Sequence, residues 1–331
     1  MDAFLESVKA FGSLYGPRQV GPNQYQLMPV GDVAPVSAEC RRTILPPKKF
    51  LIPARDDLCH FSADTGYRAA EVYTGERVIL FGLHACDIHA LVTLDLVFNG
   101  KYPDPRYLAR RQALAVIGFS GTAPDGNCFC HAMGTSHADR GFDLFLTDIG
   151  DEYLVRIGSS LGDDMMRARV DLFGQVEREH IDAYKERSDR RQTQFDDTVV
   201  EDLPQILELE HDSPIWRELS ERCFGCGACA AVCPTCYCYD VVDLVGTDGI
   251  TGRRVRQWDC CLFQNFAEMS GGFNPRPNRT DRIKHRYYHK QVHFVERFGR
   301  PSCVGCGRCV EACPAEISLK DVIAAIRGRS G

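Results

Sequence analysis

The sequence contains no G-x-G-x-x-G after an apolar run, no P-loop, no C-x-x-C-H and no G-x-S-x-G. The usual sequence grounds for a dinucleotide, a nucleoside triphosphate, c-type haem or a serine nucleophile are therefore missing. The first residues, Met1 to Glu6, have no basic stretch leading into an apolar one, so no secretory signal is visible. The most apolar stretch, Val78 to Phe98, is broken by His84, Asp87, His89 and Asp95, which disqualifies it as a membrane span. A net charge of −6 and a pI near 5.9 give no general electrostatic reason to bind nucleic acid. The chain reads as soluble and cytoplasmic.

What it has in excess is cysteine. Seventeen in 331 residues is an odd number, so a framework made only of disulfides would leave one thiol over, and metal binding is favoured. A reducing compartment fits so many thiols. The length suggests two domains or one with a large elaboration. The expected fold class is α+β, in three parts: a mixed α/β domain over 1–160, a charged helical connector over 161–219, and a ferredoxin-like domain over 220–331 with an insertion at 239–302. Within the first part, Val78 to Gly82 reads as a buried strand, Asp87 to Phe98 as a helix and Ala113 to Phe119 as another apolar run. Phe142 to Leu146 and Tyr153 to Ile157 alternate like a hairpin. Ser318 to Ile326 suits a short amphipathic helix.

Cys223-x2-Cys226-x2-Cys229-x3-Cys233-Pro234 and Cys303-x2-Cys306-x2-Cys309-x3-Cys313-Pro314 are two complete bacterial ferredoxin runs. Three thiolates at this spacing wrap three corners of one cubane, with small residues between them that allow a close backbone approach. The fourth, before proline, ligates the other cluster. The reading gives one [4Fe-4S] cluster to Cys223, Cys226, Cys229 and Cys313 and a second to Cys303, Cys306, Cys309 and Cys233. A pair of zinc sites is the bland alternative, but zinc has no use for a third evenly spaced Cys or a trailing Cys-Pro.

The segment between the runs is long and basic, with eleven Arg or Lys between Arg253 and Arg300 against Asp259, Glu268, Asp281 and Glu296. Those charges are either a solvated surface or a set that offsets the clusters' negative charge and docks an acidic partner. His285, His289 and His293 would share a helix face, and their basic setting points to surface residues. Of the remaining thiols, Cys86 sits where a strand turns into a helix, and Cys128-x-Cys130 and Cys236-x-Cys238 are C-x-C pairs. Three or four of these could converge on a third metal site. Cys40, Cys59 and Cys260 read as small hydrophobes.

Together, Leu45-Pro46-Pro47-Lys48-Lys49-Phe50, Ala85 to Leu91, Asn127-Cys128-Phe129-Cys130 with Met133-Gly134-Thr135, Cys233-Pro234-Thr235-Cys236-Tyr237-Cys238, and Arg256 to Cys261 extend the pattern beyond the ferredoxin runs. Over most of its length the chain resembles the iron-sulfur electron-transfer subunits that include sulfhydrogenase-type nickel-iron hydrogenase beta subunits and their iron-sulfur counterparts in anaerobic sulfite reductase. The Pro-Pro-Lys-Lys segment is closer to the hydrogenase branch. The resemblance implies electron transfer between a catalytic subunit, nickel-iron in one branch and sirohaem-containing in the other, and a flavin- and NAD(P)-binding diaphorase-type subunit. It also implies a third iron-sulfur cluster drawn from Cys86, Cys128, Cys130, Cys236, Cys238 and Cys261, without saying which four. Cys260 departs from the family pattern. The rival reading is a self-contained thiol or disulfide reductase suggested by the adjacent Cys260-Cys261, although Leu262 stands where a Cys-Cys-Gly element would have glycine.

Overall fold

Strand Val78–Leu83 is an unbroken apolar run because both of its faces are covered, as parallel strands require. In the computed structural model, which describes residues 1–31, 40, 42–70, 75–120, 123–195, 198 and 200–329, it lies inside a six-stranded sheet. The strands are β1 (Ser13–Gly21), β2 (Gln24–Pro29), β5 (Val78–Leu83), β6 (Leu114–Ser120), β7 (Leu144–Asp148) and β8 (Tyr153–Ile157), after β3 (Arg55–Ser62) and β4 (Gly66–Ala69) of a second sheet. The order is β2-β1-β5-β6-β7-β8. Neighbours from β1 to β7 run parallel, and β2 and β8 close the edges antiparallel.

Side-chain alternation divides this sheet between two cores. Leu80, Val116 and Phe145 face the helices Ala85–Phe98 and Pro105–Gln112 through Leu91, Leu94 and Tyr107. Ile79, Phe81, Ile117, Leu144 and Leu146 face the opposite way, onto Phe4, Leu5 and Val8 of helix Asp2–Val8 and Met165 of helix Ser160–Arg167. The strand, helix and hairpin expected between residues 78 and 157 are all present, within two residues at each end.

The second sheet is antiparallel, in the order β4-β3-β10-β9, with β9 (Tyr239–Val245) and β10 (Thr251–Trp258) supplied by the insertion. Residues from opposite ends of the chain therefore share one ladder, with Arg256 paired to Asp56 and Arg254 to Cys59. The helix Arg178–Gln192 buries none of its side chains, as its run of charges implies. The next two helices, Leu203–Leu209 and Ile215–Arg222, join a third core. There Trp216, Leu207 and Leu219 meet Ile283, Tyr287 and Tyr288 of helix Arg279–Tyr288 and Val322, Ile323 and Ile326 of helix Leu319–Arg329.

One carboxylate ties the second sheet to the first. Asp56, on β3, accepts two hydrogen bonds from Arg110 at 2.9 and 2.7 Å and one from Arg256 at 2.9 Å. Arg256 also pairs with Asp104, the N-cap of helix Pro105–Gln112. Burial alone would raise the Asp56 carboxyl. The guanidinium groups of Arg110 and Arg256 outweigh it and hold the group below its ordinary value. A depressed carboxyl contributes stability above its unfolded-state value and loses it as pH falls through the folded one. Unfolding followed by circular dichroism should therefore show the Asp56→Asn variant destabilised at pH 7, with the gap to wild type closing only below about pH 4. A gap that persists into strong acid would show that Asp56 acts through packing alone.

Candidate metal centre

Both ferredoxin runs fold alike. Gly227 and Gly307 adopt left-handed φ values of 77° and 75° and open one-turn helices, Ala228–Ala231 and Arg308–Glu311, that pack against each other. This pairing brings the thiols of one run to those of the other. Cys223, Cys229 and Cys313 line one cavity with Cys309, Arg286 and Tyr287. Burial pushes the Cys229 thiol up, Arg286 opposes, and Cys309, Cys233 and Cys223 add to the rise. Cys303 is raised to about 11 by burial and by Cys309, with Lys290 opposing and Cys233 also contributing. Cys313 thus lies beside Cys223 and Cys229 of the first run, and Cys233 acts on Cys303 of the second. Cys226 is exposed next to the exposed Phe224.

Cys306 feels Cys233 and also borders a cavity shared with Cys86, Cys128 and Cys130. Cys128 and Cys130 place their sulfurs 3.0 Å apart, and Cys86 also hydrogen bonds to Cys130. The loop carrying them is pressed onto the second run. Phe129 N–H donates to the Gly305 carbonyl at 2.8 Å, and Thr135 Oγ1 donates to the Val304 carbonyl at 2.7 Å. A Cβ on Gly305, whose φ is +62°, would stand 2.6 Å from the Phe129 carbonyl oxygen. The space left by glycine here takes the incoming loop, besides any approach to a cluster.

The six thiols expected at a third site are thus divided. Cys86, Cys128 and Cys130 come together. Cys236 instead donates to Cys233, and Cys238 hydrogen bonds to Cys261. Cys40 and Cys260 are buried, the latter in the third core, and Cys59 is half-buried on β3. Among the described residues, no three Cys, His, Asp or Glu side chains close around a point as they would for a single ion.

The histidines depart from the expected surface row. Helix Arg279–Tyr288 passes into a π-helical turn, His289–His293, whose wider winding rotates later residues away from the 3.6-residue stripe. His285 and His289 are half-buried, with ring centroids 5.7 Å apart. Burial first, then Arg276 and His293, pushes His285 down to about 4, and burial with Lys290 does the same to His289. Only His293 is exposed.

Sequence reasoning weighed the basic insertion as a whole. The structure sorts it residue by residue, and among the described residues four buried cations, two of them outside the insertion, stand among the thiols: Lys48, Arg286, Lys290 and Arg308. Lys48 Nζ donates to the carbonyls of Ala230 and Cys236, both at 3.0 Å, and lies 4.4 Å over the Trp258 ring. Burial pushes its amine down, and Cys236 and Cys233 partly offset this. Burial also disfavours the charges of Arg286 and Lys290, but neighbouring thiols outweigh it: Cys229 and Cys309 at Arg286, Cys233 and Cys236 at Lys290. Arg308 forms a bidentate pair with Asp87 at 2.7 and 2.9 Å, and its Nε donates to the Thr43 carbonyl.

Buried charge is costly unless compensated. Thiolates carrying iron and sulfide are the compensating anions that this donor set can supply, and soft sulfur ligands suit such clusters. Charge and donor type therefore fit iron-sulfur centres. The buried Arg308 and Asp87 pair also locks the second run to the helix bearing Cys86. Arg308→Ala leaves Asp87 buried without its cation and is expected to lower unfolding free energy by about 3–5 kcal/mol in denaturant titration. A loss well below 1 kcal/mol would mean that water replaces the guanidinium.

Residues 222–317 match the 4Fe-4S dicluster domain family. The chain is 38% identical over 325 residues to sulfhydrogenase 2 subunit beta of Pyrococcus furiosus, covering 98% of this chain and 95% of that protein. It is also 26% identical over 114 residues, 34% of this chain and 22% of the relative, to F420-dependent formate dehydrogenase subunit beta of Methanocaldococcus jannaschii. The paired runs, their buried cations and this near full-length likeness place the chain in the sulfhydrogenase beta-subunit family, as an iron-sulfur electron-transfer subunit of hydrogenase type.

Proposed function

We propose that the chain relays single electrons within a cytoplasmic nickel-iron hydrogenase complex, between the catalytic subunit of that complex and a flavin- and NAD(P)-binding diaphorase-type subunit. Its two [4Fe-4S] clusters are held by Cys223, Cys226, Cys229 and Cys313, and by Cys303, Cys306, Cys309 and Cys233. When bound, such clusters accept and return one electron at a time.

The observation that carries this reading is the succession of thiols through the molecule. Cys223, Cys229 and Cys313 share a cavity, and the Cys229 thiol feels Cys233. Cys233 in turn acts on Cys303 and Cys306. Cys306 borders Cys86, Cys128 and Cys130. The three thiol groups follow one another from the exposed Cys226 to the loop that carries Cys128 and Cys130, the arrangement that a relay needs. Arg286, Lys290 and Lys48 favour the anionic state of the buried sulfurs. A third cluster belongs at the far group. Cys86, Cys128 and Cys130 supply three of its ligands, with Cys306 as the neighbouring thiol. Cys236, Cys238 and Cys261 lie outside this set. Among the described residues no helix is long and apolar enough to cross a membrane.

After anaerobic reconstitution, iron and acid-labile sulfide of about eight per chain indicate two cubanes and about twelve indicate three. Cys229→Ser should remove one ferredoxin-type signal from the electron paramagnetic resonance spectrum of the reduced protein. Cys128→Ser should leave both such signals and lower iron by about four per chain. Zinc in place of iron, or unaided reduction of a disulfide, sulfite or NAD(P)+ by the isolated chain, would overturn the relay.

A further inference from the structure

Lys290 is 6% exposed. Its ammonium donates to Thr235 Oγ1 at 2.9 Å and to Ser302 Oγ at 3.4 Å. These two hydroxyls flank ligands from different runs: Thr235 follows Cys233 by two positions, and Ser302 immediately precedes Cys303. Ser302 is also fixed through its backbone, its N–H donating to the Lys290 carbonyl at 2.9 Å. One side chain thus staples together the two segments that converge on the second cluster.

The direction of the hydrogen bonds makes the staple more than mechanical. An ammonium can only donate, so Thr235 Oγ1 accepts from Lys290 and its own hydrogen is left for another acceptor. Cys233 Sγ lies 3.4 Å from that oxygen. As a thiolate ligand this sulfur can only accept. The chain Lys290 to Thr235 to Cys233 therefore has one consistent polarity, with positive charge at its buried end and a hydroxyl hydrogen on the sulfur. The π-helical turn His289–His293 places Lys290 there, in line with the tendency of such turns to mark functional sites.

We infer that Lys290, acting through Thr235, is a positioning residue that raises the reduction potential of the Cys233-ligated cluster relative to its neighbour. This rests on the two-cluster reading above. Hydrogen bonds to ligating sulfur and buried positive charge both stabilise the additional electron. Arg286 donates to the carbonyl of Cys229 at 3.4 Å and acts on Cys229 and Cys309, thiols of both sites, whereas Lys290 acts on Cys233 and Cys303, both of the second. Electrons passing along the relay then meet two steps of unequal potential, with Lys290 contributing to the difference.

The test is a redox titration of the full reconstituted chain, followed by electron paramagnetic resonance, for wild type, Lys290→Met, Thr235→Val and Lys185→Met. The last removes a charge that is 67% exposed and controls for net charge. The signal perturbed by Cys233→Ser identifies the site concerned. In Lys290→Met its reduction equilibrium should fall at least tenfold, which is about 59 mV for one electron, while the other signal moves much less. Thr235→Val should shift the same signal in the same direction by about threefold, since it removes the hydroxyl's hydrogen bond to the sulfur and keeps both the charge and the Cys236 contact. If Lys290→Met does not retain its clusters, Thr235→Val decides the matter alone. An unmoved Cys233 signal in Thr235→Val, or equal shifts of both signals in Lys290→Met, overturns the inference. A wild-type protein without two cubanes overturns the reading beneath it instead.

Discussion

The constraint on which this structure depends is electrostatic: positive charge is buried in order to meet sulfur. Lys48, Arg286 and Lys290 reach the interior with carbonyl and hydroxyl partners and neighbouring thiols. Neutral partners spread a cation's charge without cancelling it, so such a site is tolerable only where an anion completes it. Thiolates bound to iron provide that anion, and folding and cluster loading become linked. Arg308 is the exception, since Asp87 neutralises it directly. That pair serves as a clamp between the second ferredoxin run and the N-terminal sheet.

The two sheets exist to hold this charged interior in place. Strand β5 of the six-stranded sheet leads into helix Ala85–Phe98, whose first turn carries Cys86 and Asp87. The four-stranded sheet draws the insertion against β3, and at the end of β10 sets Trp258 beneath Lys48. The third core wraps the first run with Trp216, Tyr287 and Tyr288. Each sulfur group thus has one wall from a ferredoxin run and another from an element distant in sequence. Lys48, Arg286 and Lys290 come from these walls outside the runs.

Much of this was legible in the chain itself. The unbroken apolar run through Ile79, Leu80 and Phe81 specifies a strand covered on both sides, and the alternating runs Phe142 to Leu146 and Tyr153 to Ile157 specify a hairpin, because both signals are local. The ferredoxin spacing likewise marks eight cysteines as candidate ligands from short-range geometry. The pairing of β3 with β10 carried no such sign. It joins segments about two hundred residues apart, and alternation within one strand says nothing about which other strand it meets. The histidine row failed for a related reason, since the π-helical turn breaks the period on which it was counted.

Sequence alone determined the donor chemistry and the family, because ligand spacing is held within a dozen residues of chain and survives whatever surrounds it. It also flagged Cys86, Cys128 and Cys130 as chemically distinct. Only the tertiary structure decided that these three gather against Cys306 while Cys236, Cys238 and Cys261 turn elsewhere. It alone separated the buried Arg286 and Lys290 from the exposed basic residues beside them. Burial of a charge depends on what the fold brings to it from far along the chain, and a residue's neighbours in sequence do not record that.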